Sequence, residues 1–290
     1  LGAPNYFGGR AKIEYYILYI ISKMTTEYII SLSKLSEYIY KLPKLSKKDI
    51  CLNQHSDYEK IILFGFYEYY DELDKFDINQ LIIGDKNKWG TNILFIAAYY
   101  NKIRLIKYLL ARGININISN NEGFNAYISI FFNENVKIKT LKLLEDNGTN
   151  IHIITKALNN AFTTFIINNK RPQIKVLEHL KSIGIDIHKV NMWRNNVCFY
   201  AEKIKTIKYF EANGINIHLK NIYNINIYSK IIKYSYQIDK NILKYLKSRG
   251  VRNYYSENYN YCKRENNSEA LKYLIKSNCN NRFKNITCYI

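Results

Sequence analysis

The feature that most narrows what this 290-residue chain can fold into is a phrase that returns along it. It reads Gly113-Ile-Asn-Ile-Asn117, Gly148-Thr-Asn-Ile-His152, Gly184-Ile-Asp-Ile-His188 and Gly214-Ile-Asn-Ile-His218, with Gly250-Val-Arg-Asn253 as a weaker copy. The glycines stand 35, 36, 30 and 36 residues apart. Two further positions hold the same frame. Four residues before each glycine stand Leu109, Leu144, Leu180, Phe210 and Leu246, and twelve after the first four stand Asn125, Asn160, Asn196 and Asn226. Degenerate copies put Lys75 and Asn278 in the glycine place. A period of this length belongs to chains built from small units that bury their apolar faces only against one another.

The physics of one unit follows from its residues. Ile103, Ile106, Leu109 and Leu110 recur at the three-and-four spacing of one helical face, with Arg104 and Lys107 opposite. Gly113 then stands where the chain leaves the helix through a left-handed residue. The Ile/Asn alternation after it has the two-residue period of an extended finger, and the polar run 119–123 turns it back. Asn125 is placed to cap the next helix by accepting from its unpaired N–H groups. Each unit therefore reads as helix, turn, helix, glycine, finger.

Asn87-Lys-Trp-Gly90-Thr-Asn-Ile-Leu94-Phe-Ile-Ala97-Ala98, continuing through 103–110 to Gly113, resembles a complete ankyrin repeat, with Leu94, Ala97, Ala98, Leu109, Leu110 and Gly113 on matching positions. The family's Thr-Pro-Leu-His tetrapeptide reads Asn92-Ile93-Leu94-Phe95 here, and the Ala pair is lost after this copy, so irregular lengths and looser packing are expected. The resemblance implies an all-α ankyrin-repeat solenoid, helix-turn-helix units with short extended fingers, over 58–285 in about seven units with degenerate ends. Residues 1–57 fall outside the frame. Their stretch 13–40 reads as one or two helices interrupted near Pro43, a flanking or capping segment. Ile, Asn, Lys and Tyr dominate the composition, a bias of AT-rich codons. With the decayed repeats it resembles the ankyrin proteins of large DNA viruses, a style shared by parasites and obligate intracellular bacteria.

Composition bounds the function classes. A hydrophobic fraction of 47% can bury a core. The formal charge of +19 raises nucleic-acid or anionic-surface binding as an alternative, but the cations are mostly Lys and are spread along the chain. Lys41, Lys44, Lys47 and Lys48 come nearest to a cluster and read as a solvated face. Five widely spaced cysteines without a C-x-x-C pair suit a reducing, intracellular and cytoplasmic setting. The apolar run 13–21 is too short to span a bilayer.

No nucleophile elbow, phosphate loop or dinucleotide fingerprint occurs, so no catalytic residue and no cofactor is assigned. His152, His188 and His218 share one repeat place, but equivalent residues of stacked units lie roughly 8–10 Å apart. Ligands of one zinc must each lie about 2 Å from it, so no metal is assigned. His55 and His179 have no partner in sequence. The carboxylates Glu68, Asp71 and Glu72, and the pair Glu145 and Asp146, read as solvated helix faces, and Cys198 as buried packing at the place of Leu94. The family's partners lie along the face made by fingers and first helices. The resemblance therefore implies a non-enzymatic scaffold or adaptor for a partner protein, expected to be monomeric. Its contact surface would lie near Trp89, Asn121, Glu122, Met192, Trp193, Arg194 and Tyr223, where Trp89, Trp193 and Tyr223 each precede a finger's turn residue.

Overall fold

The computed structural model describes residues 47–52, 57–79, 82–84, 87–235, 238–252 and 254–282, and the expectations for 1–46, His55 and 283–290 lie outside them. The chain divides into two compact units, 1–186 and 187–290. In the first, α1 (Lys47–Leu52), α2 (Asp57–Phe66) and α3 (Tyr70–Leu73) precede a two-stranded antiparallel hairpin, β1 (Ile82–Gly84) and β2 (Asn87–Thr91). Three helix pairs follow: α4 (Ile93–Tyr99) with α5 (Ile103–Ala111), α6 (Ala126–Ile130) with α7 (Ile138–Asp146), and α8 (Ala161–Asn168) with α9 (Ile174–Ser182). The second unit holds α10 (Val197–Tyr200) with α11 (Ile204–Ala212), α12 (Ile227–Tyr234) with α13 (Lys240–Ser248), and α14 (Tyr255–Arg264) with α15 (Ser268–Arg282).

Within the first unit α4 packs on α6 and α6 on α8, and within the second α10 packs on α12 and α12 on α14. A first helix is thus enclosed by its neighbours and by its own second helix, which is why it is apolar all round. Ile93 to Ala98, Ala126 to Ile130 and Ala161 to Ile166 are buried without interruption. The second helices keep one stripe. It comprises Leu105, Ile106 and Leu109 on α5, Val176, Leu177 and Leu180 on α9, and Ile242, Leu243 and Leu246 on α13, all buried. On α5 the stripe differs from the expected face: Leu105 is buried, while Ile103 and Leu110 are half-buried at its margins. The face packs on its own first helix, and only three positions per two turns fit it.

Every glycine of the frame closes its helix in the same way. Gly113, Gly148, Gly184, Gly214 and Gly250 have φ between 75° and 80°. The N–H after each bonds to the carbonyl of the buried residue four before it, as in Ile114 to Leu109 at 3.1 Å, Ile185 to Leu180 at 3.0 Å and Val251 to Leu246 at 2.9 Å. This double closure at a left-handed residue stops a helix without orphaning its last carbonyls. The 30-residue interval before Gly214 is six shorter than the next, and α10, four residues long where α12 has eight, accounts for four of them, the shorter connection to the second helix for the rest. The outlying copies differ. Lys75 is not left-handed, and α15 runs straight through Asn278. Without glycine the left-handed exit carries a steric cost, and an Asn inside a helix costs less. Asn79 nevertheless keeps the frame, since its Oδ1 accepts from Asn115 N–H at 2.7 Å as Asn117 Oδ1 accepts from Asn150 N–H at 2.6 Å.

Candidate partner-binding surface

The fingers are built on asparagine. Seven residues after the glycine, Asn120, Asn191 and Asn221 are buried at the finger's root. The Oδ1 of Asn120 accepts from Glu122 and Phe124 N–H at 3.0 and 2.9 Å, that of Asn191 from Trp193 and Asn195 at 3.1 and 3.0 Å, and that of Asn221 from Tyr223 and Ile225 at 2.9 and 3.0 Å. The side chain thus takes the place of a backbone acceptor and sets the tip. In the finger after Gly148 the root is Thr155, also buried, whose Oγ1 accepts from Asn159 N–H at 3.2 Å. This root position recurs in the sequence beside the glycine and the cap, and that recurrence was the signal for it.

Ten residues after the glycine the chain turns through a second left-handed position: Gly123 at φ 79°, Leu158 at 58°, Arg194 at 61° and Asn224 at 61°. A non-glycine residue there stores about 1–2 kcal/mol of steric strain, whereas glycine adds about 0.5–1 kcal/mol of backbone entropy to the unfolded chain. Leu158 is 45% exposed and contributes little to packing. Leu158→Gly is therefore expected to raise the urea midpoint, by up to about 1 kcal/mol in stability. A lowered midpoint would mean that the leucine side chain outweighs the strain.

Neighbouring fingers are tied at their tips. Lys156 N–H donates to Glu122 C=O at 3.0 Å, and in the second unit Ile222 N–H donates to Trp193 C=O at 3.1 Å, the same bond two frames on. The capping asparagines add a second tie. Each Oδ1 accepts from its helix, from Phe95 at Asn92, Ile128 at Asn125, Thr163 at Asn160, Phe199 at Asn196 and Ser229 at Asn226. The amide Nδ2 of four of them also donates to a carbonyl at the base of the next finger: Asn125 to Asn150 at 2.9 Å, Asn160 to Asp186 at 2.6 Å, Asn196 to Asn216 at 2.8 Å and Asn226 to Arg252 at 3.0 Å. Aspartate would cap equally well but has no donor to supply that bond, and serine and threonine have only one short hydroxyl for both roles. The fifth, Asn92, is buried with its Nδ2 unpaired.

The tips themselves differ between the two units. In the first, Asn121 is exposed, while Glu122 is only 14% exposed in its side chain and faces Lys156 Nζ at 3.9 Å, so this pair is neutral overall. In the second, Met192 and Ile222 are 52% and 57% exposed, Arg194 is exposed, and Trp193 and Tyr223 are half-buried beside them. The finger of the second unit is held from behind by Tyr200, whose hydroxyl accepts from Asn191 Nδ2 at 2.7 Å and Asn195 Nδ2 at 2.9 Å. Burial raises the Tyr200 phenol to about 12, against the lowering effect of those two amides. Tyr200→Phe leaves both donors without this acceptor and is expected to cost about 1–3 kcal/mol, with faster amide exchange confined to 191–195. Unaltered exchange there would remove Tyr200 as the finger's support. Trp89 lies on β2, and its side chain is outside the described part of the structure.

The remaining candidates have structural places. The imidazole of His188 lies against Gly214 and that of His218 against Gly250, 3.6 and 3.9 Å from where a Cβ would stand, so these two histidines pack on the next frame glycine, whereas nothing lies within 4 Å of that point at Gly184 and His152 does not share the contact. His179 does have a partner. Its Nε2 lies 2.8 Å from Glu145 Oε1, which also accepts from the Tyr127 hydroxyl at 2.8 Å. Glu145 is therefore not a solvated face, its side chain being 15% exposed, whereas Asp146 is exposed. The same bond, thirty-four residues back along the chain, joins Tyr108 to Asp74 and Tyr245 to Glu211. It gives a physical reason for Tyr108 and Tyr245, each one residue before the buried leucine of its second helix. Glu68, Asp71 and Glu72 pair with Arg104, Lys47 and Lys75, so Lys47 has a defined partner. Cys198 is buried, and burial pushes its thiol well above the usual range.

Glu211 carries a pH dependence. The Tyr245 hydroxyl, and then the Arg249 guanidinium at 2.5 Å, hold its carboxyl below the ordinary value. A depressed folded pKa contributes stability above the unfolded carboxylate value near about 4.3, and loses it as pH falls through the folded one. Glu211→Gln is expected to flatten the fall of melting temperature with pH in that acid window and to change little at neutral pH. An unchanged acid slope would show that the carboxylate contributes nothing there.

Chemically, this arrangement presents surface and little else. A shallow depression under the second unit's fingers, lined by residues including Arg194, Cys198, Phe199 and Asn221, has no room for a small molecule. Among the described residues no group of His, Cys, Asp and Glu could hold a metal ion, and no helix is long and apolar enough to cross a membrane.

Comparison with known proteins bears on the same stretch. Residues 78–129, from the end of the first degenerate copy through the hairpin, α4, α5 and the next finger into α6, match the family of ankyrin repeats (many copies). No curated protein matches the chain. Ankyrin repeats are generally protein–protein interaction modules and typically have no enzymatic activity. Residues 78–129 thus carry ankyrin repeats, and the all-helical architecture around them is an ankyrin-repeat fold.

Proposed function

We propose that the chain is a non-enzymatic scaffold or adaptor that holds a partner protein along the face made by its fingers and first helices. The observation that carries this reading is the set of apolar side chains left in solvent at the tips of hydrogen-bonded fingers. Ile154, Leu158, Val190, Met192 and Ile222 are each between 38% and 57% exposed. Rigid loops bearing exposed apolar groups beside half-buried aromatics are what protein interfaces use as anchors. Repeats over 58–285 with 1–57 as a flanking segment, a monomeric state, an intracellular setting and the AT-biased kind of ankyrin protein known from large DNA viruses complete the proposal.

The test is affinity capture with the full chain from cells that express it. The variant Trp193→Ala/Tyr223→Ala is expected to lose the partner, while Lys208→Ala, on the exposed side of α11, is expected to keep it. Recovery that is equal for all three chains would overturn the finger face as the binding surface.

A further inference from the structure

The two finger tips of the second unit, 189–194 and 219–224, carry cations and nothing to balance them. They carry Lys189, Arg194 and Lys220 and no carboxylate. Among the described residues neither Lys189 nor Arg194 is paired with an acid, and the Lys220 amine lies over the Tyr254 ring at 4.3 Å, a contact that leaves its charge uncompensated. The corresponding tips of the first unit hold one cation and one anion, Lys156 and Glu122, facing each other. The contrast runs through each unit as a whole, since residues 187–290 contain nineteen Lys and Arg against six Asp and Glu.

Between these cations stand Met192 and Ile222, the most exposed large apolar side chains among the described residues, with Val190 38% exposed. The tips are held together by the bond from Ile222 N–H to Trp193 C=O. A ligand for such a surface has to supply carboxylates to the cations and aliphatic or aromatic groups to the thioether and the isoleucine. We infer that the second unit's fingers bind an acidic, extended peptide segment of the partner, with apolar side chains set among Asp and Glu. This rests on the scaffold reading above and names its ligand.

The geometry gives the spacing. Stacked units repeat at roughly 8–10 Å, and an extended peptide advances about 3.3 Å per residue, so side chains two or three positions apart span adjacent fingers. A nucleic acid fits less well. The most exposed groups are aliphatic and offer no ring face for a base to stack on, and the tips hold a single arginine for bidentate phosphate contact.

The experiment sorts a display library of random dodecapeptides against the full chain at physiological salt. Enriched peptides are expected to be acidic, with two apolar residues two or three positions apart. Their affinity is expected to fall at least about tenfold in Met192→Ser/Ile222→Ser and again in Lys189→Glu/Arg194→Glu, and to weaken as salt is raised. These side chains lie at the surface, and circular dichroism on each variant checks that the fold is kept.

Basic or neutral peptides that still depend on Met192 and Ile222 would overturn the acidic ligand and leave the finger surface standing. Acidic peptides indifferent to both variants would overturn the ligand site and the finger surface together. No enrichment at all, or a labelled single-stranded oligonucleotide that binds more tightly than any selected peptide and is lost in Lys189→Glu/Arg194→Glu, would also overturn the inference, the last in favour of a nucleic acid.

Discussion

Asn160→Ala is expected to lower stability by about 2–4 kcal/mol, a large loss for a polar side chain. Asn160 is buried, and its Oδ1 accepts from Thr163 N–H at 3.1 Å and from the Thr163 hydroxyl at 3.2 Å, while its Nδ2 donates to Asp186 C=O at 2.6 Å. Alanine removes the cap, leaves a buried N–H without a partner and cuts the tie to the next finger. Asn160→Asp separates these contributions. It keeps the acceptor and suits the positive end of the helix, but it sets a carboxylate oxygen against the Asp186 carbonyl. At neutral pH it is expected to be less stable than the parent by at least about 1 kcal/mol. An aspartate variant as stable as the parent would show that the Nδ2 bond contributes nothing, and that capping is the residue's whole role.

The second large effect is expected in the core. Phe165 on α8 is fully buried, and its ring lies 5.7 Å from that of Phe131, the residue that ends α6. Phe165→Ala removes the ring and leaves a cavity between successive first helices, at a cost of about 3–5 kcal/mol. That is a sizeable share of the stability of an ordinary domain. Because each unit is sheltered only by its neighbours, the loss should spread along the stack. Hydrogen exchange is expected to accelerate in α6 through α9 together, with a lowered urea midpoint. Acceleration confined to α8 would mean that the units fold independently of one another.

Much of the frame was legible because each of its requirements is local. A left-handed exit asks for glycine at 113, 148, 184, 214 and 250, and the structure puts φ there between 75° and 80°. A helix start asks for an acceptor at 125, 160, 196 and 226, and each asparagine supplies it. The buried stripe of a second helix needed more than local reasoning. Periodicity allows Ile103, Leu105, Ile106 and Leu110 alike to face the core, and only the packed neighbours select Leu105 and Ile106 for it. The candidate surface was legible as a place, the finger tips, but not in its detail. Glu122, a candidate contact, is already engaged by Lys156, whereas Ile222, which as an isoleucine in a repeat reads as core, is 57% exposed against 52% for the candidate Met192.

By itself the sequence determined the period, the order of helix, glycine and finger, and the residues that stop and start each helix, because those depend on steric and hydrogen-bonding demands met within a few positions. Only the tertiary structure decided that the capping amide also binds the next finger, that Glu145 serves Tyr127 and His179, and that charge is balanced at one set of tips and unbalanced at another. Those contacts join residues eighteen or more positions apart, and their partners become defined when units stack.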